Sequence, residues 1–159
     1  MKVLIISDTH RKLNNLELVL EREQPIDLLI HLGDAEGQED EISAMAECPM
    51  YIVSGNSDFF STLPQEEEIM VGKYKILITH GHYYYVNAGI VDIRKEAMGR
   101  GCDAVMFGHT HRPVIDYAKG VVVLNPGSLS YPRQEGKRPS YALMYLDQKG
   151  EASYSIEYL

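Results

Sequence analysis

Five short polar clusters mark the chain: Ser7-Asp8-Thr9-His10, Gly33-Asp34, Gly55-Asn56-Ser57-Asp58, His80-Gly81-His82 and Gly108-His109-Thr110-His111. They hold five of the six histidines. Imidazole, carboxylate and amide oxygen together suit divalent transition metals of intermediate softness: manganese, iron, zinc, nickel or cobalt. No thiolate belongs to the set, which argues against a structural zinc site. Asp8, His10, Asp34, Asn56, His80, His109 and His111 are too many donors for one ion. A pair of ions roughly 3.5–4 Å apart, sharing a carboxylate, would use them. Two divalent ions bring +4, and Asp8 with Asp34 brings −2. The remaining positive charge can hold a hydroxide together with a phosphodiester or a monoester, and the ions would acidify a water shared between them.

The elements that must position these clusters can be read from the apolar pattern. Val3 to Ile6 is an apolar run without alternation, as in a strand buried on both faces. A helix is expected over about 12–23, a second buried strand over 27–32, a short helix over 38–47 and a third strand over 50–53. This order predicts right-handed parallel crossovers with helices covering the sheet. Residues 67–71 and 73–79 then read as a hairpin about Gly72-Lys73, followed by a helix over 87–98 stopped by Gly99 and Gly101. Short strands over 103–107, 114–117, 121–124, 141–146 and 153–158 make the second half mostly antiparallel. Two packed sheets with helices outside are expected. Each polar cluster falls just past the carboxyl end of a strand, where open α/β sheets bind ligands.

Composition bounds the rest. The chain has 159 residues, suited to a single domain over 1–159, with 15 basic and 23 acidic residues and a net charge of −8. That charge argues against long nucleic acid and anionic membrane surfaces as partners. Cys48 and Cys102 lie far apart and form no C-x-x-C motif, and the only early apolar run is Val3 to Ile6, so a reducing, cytoplasmic setting is expected.

The ordered set D-x-H, G-D, G-N-x-D, H-G-H and G-H-T-H resembles the calcineurin-like metallophosphoesterase superfamily. The compact size, the Gly-Asn-Ser-Asp form and the later Asn125-Pro126-Gly127-Ser128 resemble its small bacterial and archaeal phosphodiesterase branch, so the resemblance covers nearly the whole chain. It implies a four-layer α/β/β/α sandwich and a dinuclear metal-dependent hydrolase of small phosphodiesters. Asp8, His10 and His111 would bind one metal, Asn56, His80 and His109 the other, and Asp34 would bridge them. A metal-bridging hydroxide would attack phosphorus, with manganese the first expected cofactor and nickel, zinc, iron or cobalt the alternatives. Many larger members carry a histidine where this chain has Ser57, whose hydroxyl is too weak an acid for that work. His82 is the local candidate to touch phosphate or assist the leaving group.

Around this set the ordinary readings are preferred. His31 reads as packing or support, Asp58 as a loop-orienting residue, and Tyr83-Tyr84-Tyr85 as a partly buried loop. Glu66-Glu67-Glu68 reads as a solvated edge, and Arg112, Arg133, Lys137 and Arg138 as solvated. Asn125 to Ser128 would sit at the rim, its backbone steadying the loops. Exposed strand edges and the tyrosine loop permit a homodimer. Two alternative functions remain: a phosphomonoesterase on the same site, and a scaffold like a eukaryotic retromer subunit that resembles this branch. Loss of ligands would favour the scaffold, and here all seven positions match.

Overall fold

The computed structural model describes residues 1–159. The first half alternates as the sequence predicts: β1 (Lys2–Ile6), α1 (Asn14–Glu23), β2 (Leu28–His31), α2 (Glu39–Ala46) and β3 (Met50–Ile52). The remainder runs β4 (Glu66–Val71), β5 (Tyr74–Thr79), α3 (Val91–Gly99), β6 (Ala104–Met106), β7 (Val114–Asp116), β8 (Val122–Asn125), β9 (Ser140–Leu146) and β10 (Ala152–Tyr158). The strands form two five-stranded sheets, ordered β10-β9-β1-β2-β3 and β4-β5-β6-β8-β7.

Period-two side-chain alternation explains the layering. In β1, Val3 and Ile5 point to the core between the sheets, while Leu4 and Ile6 point to α1 and α2. In β5 and β6, Ile76, Ile78, Ala104 and Met106 face that shared core, and Leu77 and Val105 meet Ile93 and Ala97 of α3. Strands buried on both faces cannot alternate apolar with polar, hence their continuous apolar runs. The result is the expected α/β/β/α sandwich. No helix is long and apolar enough to cross a membrane.

The expectation of a mostly antiparallel second half holds for four of its six strand pairings, β4–β5, β7–β8, β1–β9 and β9–β10, but not for the centre of the second sheet. β5, β6 and β8 are mutually parallel, and antiparallel pairing is confined to the edges β4 and β7 and to β9 and β10, which return to the first sheet. The α3 crossover brings β6 back parallel to β5, and the β7 excursion does the same for β8. α3 also begins at Val91, four residues later than expected, and Gly99 is its last residue rather than its stop.

Candidate metal centre

The carboxyl ends of β1, β2, β3, β5 and β6 all open onto one side of the molecule, and the seven expected donors converge there. His10 Nε2 lies 3.3 Å from His111 Nε2 and 3.6 Å from Asp34 Oδ2. His111 Nε2 is 3.0 Å from Asp8 Oδ1, and His80 Nε2 is 3.5 Å from Asp34 Oδ2. Asn56 Oδ1 sits 3.1 Å from His80 Nε2 and 2.8 Å from His109 Nδ1. Two groups have donor atoms all within 4.8 Å of one another: Asp8 with His10 and His111, and Asp8 with Asp34 and His80.

The far side of each ring fixes its role. His80 Nδ1 donates to the Leu32 carbonyl at 2.7 Å, and His111 Nδ1 to the Tyr131 carbonyl at 2.7 Å. A ring whose Nδ1 carries the proton presents a lone pair at Nε2. His10 Nδ1 is held 2.6 Å from Glu36 Oε1. His109 is turned the other way, with Nε2 2.9 Å from the Asn87 amide and Nδ1 toward Asn56.

The donors therefore face one another, acceptor against acceptor, which only a cation or a proton can relieve. Asp8 makes the point most sharply. Its Oδ2 accepts from Ser7 Oγ at 2.6 Å and from the His109 amide at 3.0 Å, whereas buried Oδ1 has no hydrogen-bond partner. A buried carboxylate oxygen without a donor is costly. This donor set fits divalent metal ions. Protonation answers the same crowding at His10, where the nearby Asp8 carboxylate, opposed by burial and aided by Glu36, pushes the pKa up to about 9. Burial works to raise the Asp8 pKa, but His10 and His111 outweigh it and hold the group far below the usual carboxylate range. Burial lowers the pKa of His82 and His109.

Convergence requires unusual backbone. Asp8 (φ 55°), His10 (44°), Asp34 (60°), His109 (67°) and His111 (56°) are all left-handed. Each costs about 1 kcal/mol, a cost concentrated at functional sites. Two glycines make room. A Cβ on Gly33 (φ 99°) would lie 2.7 Å from His80 Nδ1, and one on Gly55 would collide with the Asp34 carboxylate.

Other residues fall where the sequence put them, or beside it. His31 is buried, bonded to Thr9 Oγ1 and the Gly33 amide, and burial lowers its pKa to about 4. Asp58 accepts from the amides of Asp34, Glu36 and Gly55, tying two donor loops together. Ser57 donates to Asp34 through both its amide (2.8 Å) and its hydroxyl (3.1 Å). His82 is half-buried beside His80 and His109, outside both donor groups, and its Nδ1 lacks a partner. Asn125 and Ser128 steady the loops through their side chains rather than the expected backbone: Asn125 Nδ2 donates to the Gly108 carbonyl and Ser128 Oγ to that of Asp8. The tyrosine loop is partly buried as expected: Tyr84 is half-buried and donates to Glu66, while Tyr83 and Tyr85 are exposed, Tyr83 lying against the His82 ring at 4.0 Å between centroids. Glu66 and Glu68 likewise pair with Arg100 and Lys75 instead of being merely solvated. Sequence reasoning missed Glu36, Asn87 and Tyr131. Glu36, two residues past Asp34, carried the one available signal, a carboxylate beside a ligand motif.

Comparison with known proteins bears on this geometry. Residues 1–149 match the family model of the calcineurin-like phosphoesterase superfamily domain. The chain is 36% identical over 148 residues to "Probable metallophosphoesterase YsnB" of Bacillus subtilis, covering 92% of this chain and 85% of that protein. It is 27% identical to "Phosphodiesterase YfcE" of Escherichia coli K12, over 91% of this chain and 87% of that one. Among solved structures, wild-type Vps29 of Entamoeba histolytica complexed with zinc superposes with a TM-score of 0.79 at 22% identity, over 99% of both chains. At that identity the likeness concerns the fold.

Proposed function

The chain belongs to the calcineurin-like phosphoesterase superfamily, and from that premise we propose that residues 1–159 act as one domain hydrolysing small phosphodiesters with two divalent metal ions. The family supports a hydrolase of phosphoric esters that holds divalent ions, and the name of the Escherichia coli relative supports diesters. The observation that carries the reading is the acceptor-only cluster around Asp8 Oδ1 and the Nε2 atoms of His10, His80 and His111.

Asp8, His10 and His111 would hold one ion, Asn56, His80 and His109 the other, and Asp34 both. When bound, the ions supply positive charge against the phosphoryl oxygens and acidify the water that becomes the nucleophile; manganese heads the suitable metals. The chain's own work is orientation. The Leu32 and Tyr131 carbonyls and Glu36 lock three imidazoles with Nε2 inward. Ser57 aims both Asp34 oxygens, so it serves as an orienting residue where many larger relatives place a histidine. His82 stands at the rim, where we assign it contact with phosphate or the departing alcohol. The ligand set being complete favours catalysis over a scaffold role.

The test is turnover of bis-p-nitrophenyl phosphate and p-nitrophenyl phosphate with added manganese, alongside Asp34→Asn and His109→Ala. The expected outcome is faster diester hydrolysis, reduced about 100-fold or more in both variants. Absence of turnover with every divalent metal, together with no metal by elemental analysis, would defeat the reading.

A further inference from the structure

A groove of about 610 Å³ adjoins the centre on the side of His10 and Asp34. Glu36 and Ser57 line its inner wall and hydrogen-bond to His10 and Asp34 respectively, so the groove abuts the residues that orient the donors. Its outer wall carries Phe59 and Phe60, both strongly exposed, and Arg11. Phe59 and Phe60 are the most exposed of the large apolar side chains and are adjacent, so together they present an apolar patch beside the groove.

Charge narrows the occupant. Glu36 and Asp58 are engaged by His10 and by backbone amides, leaving Glu39 and Asp40 on the first turn of α2 against the single Arg11. That balance repels a further phosphate. A second groove, on the His109 side, carries Arg112 and Arg133 and suits an anionic portion of the substrate.

We propose that the Phe59–Phe60 groove binds the departing alcohol of the substrate, and that this alcohol carries a flat, uncharged aromatic ring such as a nucleobase. The inference rests on the phosphodiesterase reading and adds its specificity. The ring stacks on the phenylalanines, as bases do on exposed aromatics, while the phosphoryl group reaches the donors beyond Ser57.

Two measurements on Phe59→Ala/Phe60→Ala test this. In the first, adenosine 5′-monophosphate is titrated into the protein and the phenylalanine ring signals are followed by NMR. Shifts of the Phe59 and Phe60 rings, and about ten-fold weaker binding in the double variant, are expected. In the second, the variant should raise KM for a dinucleoside monophosphate about ten-fold with kcat held within two-fold, and leave KM for a glycerol phosphodiester unchanged. Phe59→Tyr/Phe60→Tyr should retain wild-type KM. Unmoved ring signals, equal KM changes for both esters, or a wild-type dimer that the double variant dissolves in sedimentation velocity would overturn the proposal. Turnover of neither diester, with ring shifts intact, would instead count against the hydrolase reading while leaving the aromatic site standing.

Discussion

The two ends of the sheets solve the same geometric problem with different residues. At the end holding the donors, left-handed backbone falls on Asp8, His10, Asp34, His109 and His111 as well as on glycines such as Gly33 and Gly81. At the opposite end, where β4 turns into β5, β9 into β10, and chains enter β6 and β8, it falls on Gly72, Gly150, Gly101 and Gly120, with Glu47 and Lys119 the exceptions. Glycine is the low-cost residue for such a conformation. Where side chains with chemistry stand in its place, the backbone is being held for their sake. The same contrast appears in the polar contacts. The far end relies on exposed pairs such as Lys73 with Glu151, whereas the site end buries Asp8, His80 and His31 among specific acceptors and donors.

The contrast is sharpest at the glycines. Gly55→Ala places a methyl group on the Asp34 carboxylate and should weaken metal binding about 100-fold, because ångström-scale displacement of such a group is that costly. Gly72→Ala should cost about 1 kcal/mol in thermal unfolding through its left-handed φ and leave metal affinity unchanged. Equal metal affinity in both variants would erase the distinction.

His31 gives the site end a pH dependence. Its pKa is depressed to about 4 by burial, below the ordinary value of 6.5, so the fold favours the neutral ring. Stability from this residue is fully present above pH 6.5. As pH falls from 6.5 toward 4, the unfolded chain takes up a proton that the folded chain refuses, and about 3 kcal/mol is lost. Denaturant titrations of the metal-free protein between pH 7 and 4 should show this slope, and His31→Gln should flatten it. Identical slopes would remove His31 from the account.

A smaller effect is expected at Glu36, which touches only the outer nitrogen of His10. Glu36→Gln keeps an acceptor and loses the charge, so calorimetry should find affinity lowered about 10-fold for one ion, with Glu36→Ala lower still. Loss of both ions equally would mean that Glu36 holds the loop rather than the ring. The smallest effect belongs to the far end: Glu151→Ala should leave Tm, metal affinity and turnover indistinguishable from wild type, since its partner Lys73 is solvent-exposed.

These contrasts also explain what the sequence conveyed. β1 and β2 were legible because strands buried on both faces are uninterrupted apolar runs, and the clusters after the strands because histidine, aspartate and asparagine recur there as an ordered set. The start of α3 was not. Asn87 fits helical periodicity, yet its amide is used by His109, and Gly89 (φ 149°) breaks the chain before Val91. The parallel centre of the second sheet was hidden because apolar runs do not encode strand direction. Leu32 and Tyr131 orient ligands through their carbonyls, which leave no trace in residue type. Glu36 pairs with a histidine 26 residues away, so only the fold brings them together.

The central claim is that the acceptor-only cluster is a two-ion site. Isothermal titration of the metal-stripped chain with manganese tests it most directly. The account predicts two ions per chain for wild type, and for Asp34→Asn a loss of affinity at both, since that carboxylate faces His10 on one side and His80 on the other. A single ion per chain, or two whose affinities ignore Asp34, would contradict it.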